Sequence, residues 1–170
     1  MRDVAAEARC TTGMVTHYFD DKRQLMLAAI EEASRAVGER ILARVRSAPD
    51  EPARPMALVR SVLEESLPLD EVRRNEWRIW IAYWGAAIND DALHVEHVER
   101  YDQWRRALVL VLGGAGFDAD GAAQAAEALM IAVDGIGVHA TFDPAAWPPQ
   151  RQLAELDRNV DGIARPLPGT

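Results

Sequence analysis

A single cysteine in 170 residues has no partner within the chain. An internal disulfide framework is thereby excluded, and the composition suits a reducing compartment. Long apolar runs are also scarce. The longest nearly apolar one, Ala107 to Phe117, is interrupted by glycines and falls short of the roughly 20 residues needed to cross a bilayer. The chain as given opens on no charged-then-apolar leader, so the expectation is a cytoplasmic protein with no membrane partner. Basic residues are outnumbered: 19 Lys and Arg stand against 27 Asp and Glu, a formal net charge of −8. That balance argues against a general nucleic-acid binder. Nucleophile signatures are missing as well. There is no Gly-x-Ser-x-Gly turn and no glycine loop able to cradle a phosphate, so an enzyme is not expected. No metal or other cofactor is expected either. His94 and His97 share a helix face, but among Asp90, Asp91, Glu96 and Glu99 they read as a solvated helix start.

What is present is helix. Ala, Leu, Arg and Glu dominate, and the 9 prolines and 11 glycines cluster at a few punctuation points, which predicts an all-α fold. A long helix opens near Asp21 and ends near Ser47, with Leu25, Ala28, Ala29, Ile41, Leu42 and Val45 on an intermittent apolar face. The Pro-rich stretch 48–55 (APDEPARP) stops it. A helix from Met56 to Leu67 is ended by Pro68, and Asp70 caps the next, which runs to Asn89. Asp90 or Asp91 starts another, with Leu93, Val98, Tyr101, Trp104, Leu108 and Leu112 on its buried side, ending at Gly113-Gly114. Asp118 or Asp120 starts a further helix through Ala125, Leu129, Ile131, Val133 and Ile136 to about Ala140. Leu153, Leu156, Val160 and Ile163 mark the last. The expected division is a head of residues 1–47 and a body of residues 48–170. Charge divides in the same way: the first 46 residues hold eight basic against seven acidic side chains, the remainder eleven against twenty. A near-neutral head on an acidic body can bind DNA locally while the body is repelled from it.

The stretch around which the chain is organised is Val4 to Lys22, VAAEARCTTGMVTHYFDDK. It reads as a short helix, a tight turn and a second short helix. Val4, Ala5 and Ala8 form a small apolar patch, and Cys10 falls on a core position. Thr11 or Thr12 can accept free amides of the second helix as its N-cap. Val15 and Phe19, four apart, point back at the patch. The opposite face carries Thr12, Gly13, Thr16, His17 and Tyr18, small or hydrogen-bonding residues that suit a helix lying in a DNA groove.

The run Asp3-Val4-Ala5-Ala6-Glu7-Ala8, then Thr11-Thr12-Gly13, then His17-Tyr18-Phe19 and Lys22, resembles the helix-turn-helix of TetR-family transcriptional regulators. The wording TGMVTHYFDDK is similar to the BetI-like branch. EWRIWIAYWGAAINDD, HVERYDQWRRAL and ALMIAVDGIGVHATFDP extend the likeness over most of the chain. The resemblance implies a helix-turn-helix head, and behind it a helical bundle that binds a ligand and dimerises. Its function would be that of a one-component regulator, a repressor, bound to a palindromic operator as a homodimer and released by a small-molecule effector. Thr12, Thr16, Tyr18 and Lys22 would contact phosphates of double-stranded operator DNA. Gly13, Met14 and His17 would come near base edges, with Thr11 at the cap of the same helix. Two departures stand out. Family members normally carry another helix and an arm ahead of this motif, whereas Met1 here lies almost on its first residue, so the head is expected to be incomplete at the front. Arg9 takes the turn position where glycine is usual, and a left-handed conformation there costs on the order of 1 kcal/mol. The rival expectation is a dimeric helical ligand-binding protein that has lost DNA binding.

Two features of the body bear on a ligand and a partner. Trp77, Trp80, Tyr83 and Trp84 lie within two helical turns, with Tyr101 and Trp104 on the next helix. They either fill a core or line a pocket. The sharpest version of the pocket is an aromatic cage for a cationic effector, because cations sit favourably over Trp and Tyr faces; choline-type ligands in the BetI-like branch suggest it. Asp134 interrupts an apolar helix and needs a partner. The candidate ligand residues are therefore Trp77, Trp80, Trp84, Tyr101, Trp104 and Asp134. Leu129, Val133, Ile136 and Gly137, together with Leu153, Leu156, Val160 and Ile163, either close the chain's own core or meet their copies in a second subunit. By resemblance the two helices form a four-helix dimer interface.

Overall fold

The computed structural model describes residues 11–47 and 55–164, together with Ala6 and Arg9. Val4, Ala5, Ala8 and Cys10 of the expected first helix, the linker over residues 48–54 and the tail from 165 onward lie outside the described residues. Among those described there are seven helices and no strand: α1 (Thr12–Tyr18), α2 (Lys22–Ser47), α3 (Pro55–Glu64), α4 (Glu71–Ala87), α5 (Asp91–Gly114), α6 (Ala119–Phe142) and α7 (Pro149–Ala164). The helix starts are fixed by side-chain caps. Thr11 Oγ1 accepts the Met14 amide at 3.2 Å, Asp70 Oδ1 that of Arg73 at 2.8 Å, Asp90 Oδ1 that of Leu93 at 3.2 Å, and Asp118 Oδ1 that of Gly121 at 2.8 Å. Each such cap contributes about 1 kcal/mol. Arg9 adopts the left-handed φ of 51° expected of the turn. Helix α3 stops earlier than predicted, because Ser66 and Leu67 donate to carbonyls three residues back and leave the helix in a turn ahead of Pro68.

The body is a bundle around α6, which packs against α4, α5 and α7, while α3 packs on α7 and α5. Buried Val59, Leu63, Leu108, Leu112, Leu129 and, on α7, Leu156 and Val160 form the main core. A second cluster holds α2 to the body: Ile30 is fully buried against Tyr83, Ala87 and Leu93. On α2 the buried positions are Ile30 and Ala33, not the predicted face, and Leu42 and Val45 are exposed. Two further expectations are corrected by helical phase. Val98 is 53% exposed; its expected place is taken by His97, which continues the row Leu93, His97, Tyr101, Trp104, Leu108, Leu112. Ile131 is 65% exposed, being two residues from both Leu129 and Val133 and so across the helix from them.

Most of the expected dimer-interface residues are enclosed by their own chain. Leu129, Val133, Ile136, Leu156 and Val160 are all at most 3% exposed within the single chain, and they belong to its own core. They have no surface left for a partner. Leu153 and Ile163 are half-buried. Gly137 is also taken by its own chain. The Trp77 ring lies on it so closely that a Cβ there would meet the indole at 2.1 Å, whereas a Cβ on Gly135 would meet nothing within 4 Å. Helix α6 is long enough, with a mean hydropathy of 1.3, to cross a bilayer by length and composition, but its apolar side chains are the centre of the core and Asp134 interrupts it.

Gly137→Ala is therefore expected to lower stability by about 2 kcal/mol, since a rigid indole has to move off the helix. Gly135→Ala should be neutral or slightly stabilising in the folded chain, as alanine is the better helix former. Urea unfolding of the two variants beside the parent checks the contrast.

Candidate ligand cavity and nucleic-acid face

A cavity of about 340 Å³ opens between α2, the α3–α4 turn, α4, α5 and α6. All six sequence-predicted ligand residues, Trp77, Trp80, Trp84, Tyr101, Trp104 and Asp134, line it. Tyr83 does not. Its ring turns to the other side of α4, is fully buried, and donates its hydroxyl to the Leu93 carbonyl at 2.8 Å. Helical spacing explains the split, because Tyr83 and Trp84 are about 100° apart around the axis.

The aromatic rings are locked to one another edge to face. Trp77 meets Trp84 with centroids 5.9 Å apart, Trp84 meets Tyr101 at 6.3 Å, and Tyr101 meets Trp104 at 5.9 Å. His97 packs on Tyr101 at 4.5 Å, and burial and nearby His94 hold its pKa below the ordinary value. Trp77 is as much core as wall. It donates its indole N–H to the Ser66 carbonyl at 2.8 Å and is pinned on Gly137. Trp80 and Trp104 are half-buried and free of such ties, which makes them better probes of the cavity.

Asp134 is the chemically distinctive group. It accepts the Tyr101 hydroxyl at 2.8 Å, and it has no ion-pair partner among the described residues. Burial pushes its carboxyl up to about 6, with the Tyr101 hydrogen bond pulling the other way, while burial and the Asp134 charge push the Tyr101 phenol far up. Above pH 6 the cavity thus contains an ionised carboxylate with one neutral donor. Other charged groups reach the wall. Glu65, Glu76, Arg73 and Arg100 line it too, and sequence reasoning missed all four, because nothing in the spacing of a charged residue says that its polar end faces an internal space. Helix α2 also contributes wall through Ser34, Val37, Gly38 and Ile41.

The eight predicted DNA-facing residues, Thr11, Thr12, Gly13, Met14, Thr16, His17, Tyr18 and Lys22, are all exposed, while Val15 between them is buried. Met14 and Tyr18 project furthest, at 54% and 74% exposure. Thr16 returns its hydroxyl to the Thr12 carbonyl at 3.1 Å, and His17 and Tyr18 touch edge to face at 5.2 Å.

Residues 55–165 match the family described as the C-terminal part of BetI-type transcriptional repressors. The regulator BetI of Proteus mirabilis is 24% identical over 159 residues, covering 93% of this chain and 76% of that protein. A transcriptional regulator from Rhodococcus sp. Rha1 superposes with a TM-score of 0.82 at 26% identity, covering 95% of this chain and 83% of the other. A regulator from Saccharomonospora viridis, solved in complex with choline, superposes with a TM-score of 0.80 at 18% identity over 94% of this chain and 83% of the other.

Asp134 binds its proton more tightly in the folded chain than in the unfolded one. Its contribution to folding stability is therefore most favourable below about pH 4, falls as pH rises from 4 to 6, and is flat above. Asp134→Asn keeps an acceptor for Tyr101 and removes the charge. It is expected to be more stable than the parent at pH 7.5 by on the order of 2 kcal/mol, with the difference gone at pH 4. Thermal melts at the two pH values check it.

Proposed function

This chain belongs to the TetR family of transcriptional regulators, in its BetI-type branch, and from that premise we propose that it is a cytoplasmic, dimeric repressor. It would sit on a palindromic operator through α1 and leave when a small cationic molecule fills the body. The observation that carries the ligand class is Asp134, a carboxylate in a cavity lined by Trp and Tyr rings with no ion-pair partner among the described residues. A buried charge without a counter-charge destabilises the empty fold, and an incoming cation relieves that while resting on the aromatic faces. The choline found in the Saccharomonospora viridis regulator supports the same class of ligand. The exposed Thr, His and Tyr face of α1, with Lys22 beyond it, supports the operator role: small donors and one cation give phosphate contacts and room for a major groove.

The dimer we infer uses the outward side of α6. Ala128, Ile131, Gly135 and Phe142 follow one another along that side and are exposed in the single chain. Ile131 and Phe142 are large apolar groups at 65% and 74% exposure, with Gly135 between them. Ile131→Glu is expected to convert the dimer to a folded monomer on size-exclusion chromatography with light scattering. An unchanged dimer would place the interface elsewhere.

The regulator reading is tested by fluorescence anisotropy on DNA from upstream of the protein's own gene, with and without choline. Binding that weakens at least tenfold on adding choline is expected. Tryptophan fluorescence should report choline binding to the parent at pH 7.5, several-fold weaker binding at pH 5.5 as Asp134 takes up a proton, and at least a tenfold loss in Asp134→Asn. Binding of choline without any operator binding would favour the ligand-binding dimer that has lost its DNA role.

A further inference from the structure

Helix α2 meets the cavity across a set of charges. Glu65 and Glu76 both line the cavity and are nearly buried, with side-chain exposures of 7% and 11%. Arg40 of α2 engages both oxygens of Glu76, Nη1 to Oε1 at 2.9 Å and Nη2 to Oε2 at 2.6 Å. Its Nε lies 3.5 Å from Glu65 Oε2. Glu65 also accepts Arg44 Nε at 2.6 Å and Arg73 Nη1 at 3.3 Å. Arg73 belongs to α4, but Arg40 and Arg44 belong to the helix that runs back to α1. Neither of these two lines the cavity, so they approach the carboxylates from outside it.

We propose that Arg40 is the internal rival of the effector: a cation in the aromatic cavity takes Glu76 from Arg40, and loss of that pair loosens α2 from the body. The inference rests on the cationic-ligand reading above and adds the residues that turn occupancy into a signal. Three features support it. Both Glu76 oxygens already accept from one guanidinium, so a second cation drawn to them shares their charge and weakens the Arg40 pair. Leaving a nearly buried carboxylate without a cation is costly, and an exchange of one cation for another avoids that cost at every stage. The guanidinium fork is a two-point clamp whose geometry a single displacement breaks, and the clamp is on the helix that carries the head. Binding and clamping are then coupled reciprocally: whatever the ligand takes from the Arg40–Glu76 pair, the pair takes from ligand affinity.

The test compares the parent, Arg40→Gln and Arg40→Lys, using choline as the probe. Tryptophan fluorescence gives its affinity, and hydrogen exchange reads the peptides covering residues 34–47. In the parent, choline should speed exchange across that segment. Arg40→Gln should bind choline at least threefold more tightly, exchange fast in its absence, and show no further rise. Arg40→Lys keeps a cation but not the two-point geometry and should fall between. A residue that merely holds the fold together would leave choline affinity unchanged or weaken it. If folded Arg40→Gln binds choline no more tightly than the parent does, the rivalry is overturned while the cavity reading survives. If neither protein binds choline, both fall together.

Discussion

The contact on which the rest depends is the Trp77 indole lying on Gly137. It sets how closely α4 approaches α6, because any Cβ at that point would overlap the ring at 2.1 Å. With the indole N–H held by the Ser66 carbonyl, the ring is fixed at both ends, and the α3–α4 turn is tied to the same point. Trp84 then stands edge-on to Trp77, Tyr101 to Trp84, and Trp104 to Tyr101. Each ring is positioned by the previous one, so a hollow remains beside them instead of collapsing. Large rigid side chains with two rotatable bonds can hold an open space that flexible aliphatic ones would fill.

A cavity held open in this way can contain an unpaired charge, and that is where stability and function conflict. Asp134 disfavours the folded state whenever it is ionised, and the Tyr101 hydroxyl offsets only part of that. Asparagine would serve the fold better. The placement makes sense for a site that is completed by something arriving from outside, since the relief it gives is added to the ligand's affinity. Glu65 and Glu76, at the α2 side of the same space, show the contrasting solution. Each is compensated within the chain by arginines, and so neither is waiting for a partner in the same sense as Asp134.

The helices were legible in the sequence because caps and punctuation are local: Asp70, one of Asp90 and Asp91, and one of Asp118 and Asp120 were expected before helices, and Asp70, Asp90 and Asp118 are the caps. The aromatic wall was legible for a related reason, since Trp77, Trp80, Trp84, Tyr101 and Trp104 repeat at spacings that put them near one side of two neighbouring helices. What the spacing leaves open is which neighbour an apolar stripe meets. Leu129, Val133, Ile136, Leu156 and Val160 form stripes that would look the same against a second subunit or against their own chain, and periodicity carries no information on that choice. Val98 against His97 shows a finer limit. Hydrophobicity favoured the valine, but one residue of phase put the imidazole against Tyr101. Arg40, Glu65 and Glu76 were invisible because they are far apart in sequence and ordinary in type, and only the fold brings them together.

The geometry of α2 says what could follow from a change at that charged group. The helix is held at its start by the exposed Arg23 on Asp90, and further along by Ile30 in the apolar cluster with Tyr83, Ala87 and Leu93 and by Arg40 and Arg44 on the two glutamates. Between them its Ser34, Val37, Gly38 and Ile41 face the cavity. At about 1.5 Å per residue, Arg40 lies roughly 15 Å from Ile30 on one side and Lys22 roughly 12 Å from it on the other. A close-packed apolar contact tolerates a small rotation better than a translation, because sliding would uncover area and rotation about the contact does not. Ile30 is then the natural fulcrum of a stiff rod. A shift of about 2 Å at Arg40 would move the start of α2 by a little over 1.5 Å in the opposite sense, with α1 attached to it. In a symmetric dimer the two heads would move together, and the distance between them would change by up to twice that amount. Recognition helices that must fit successive major grooves about 34–36 Å apart are sensitive to changes of that size, so in the operator-bound dimer proposed above a modest exchange of cations inside the body would be sufficient to be read on DNA.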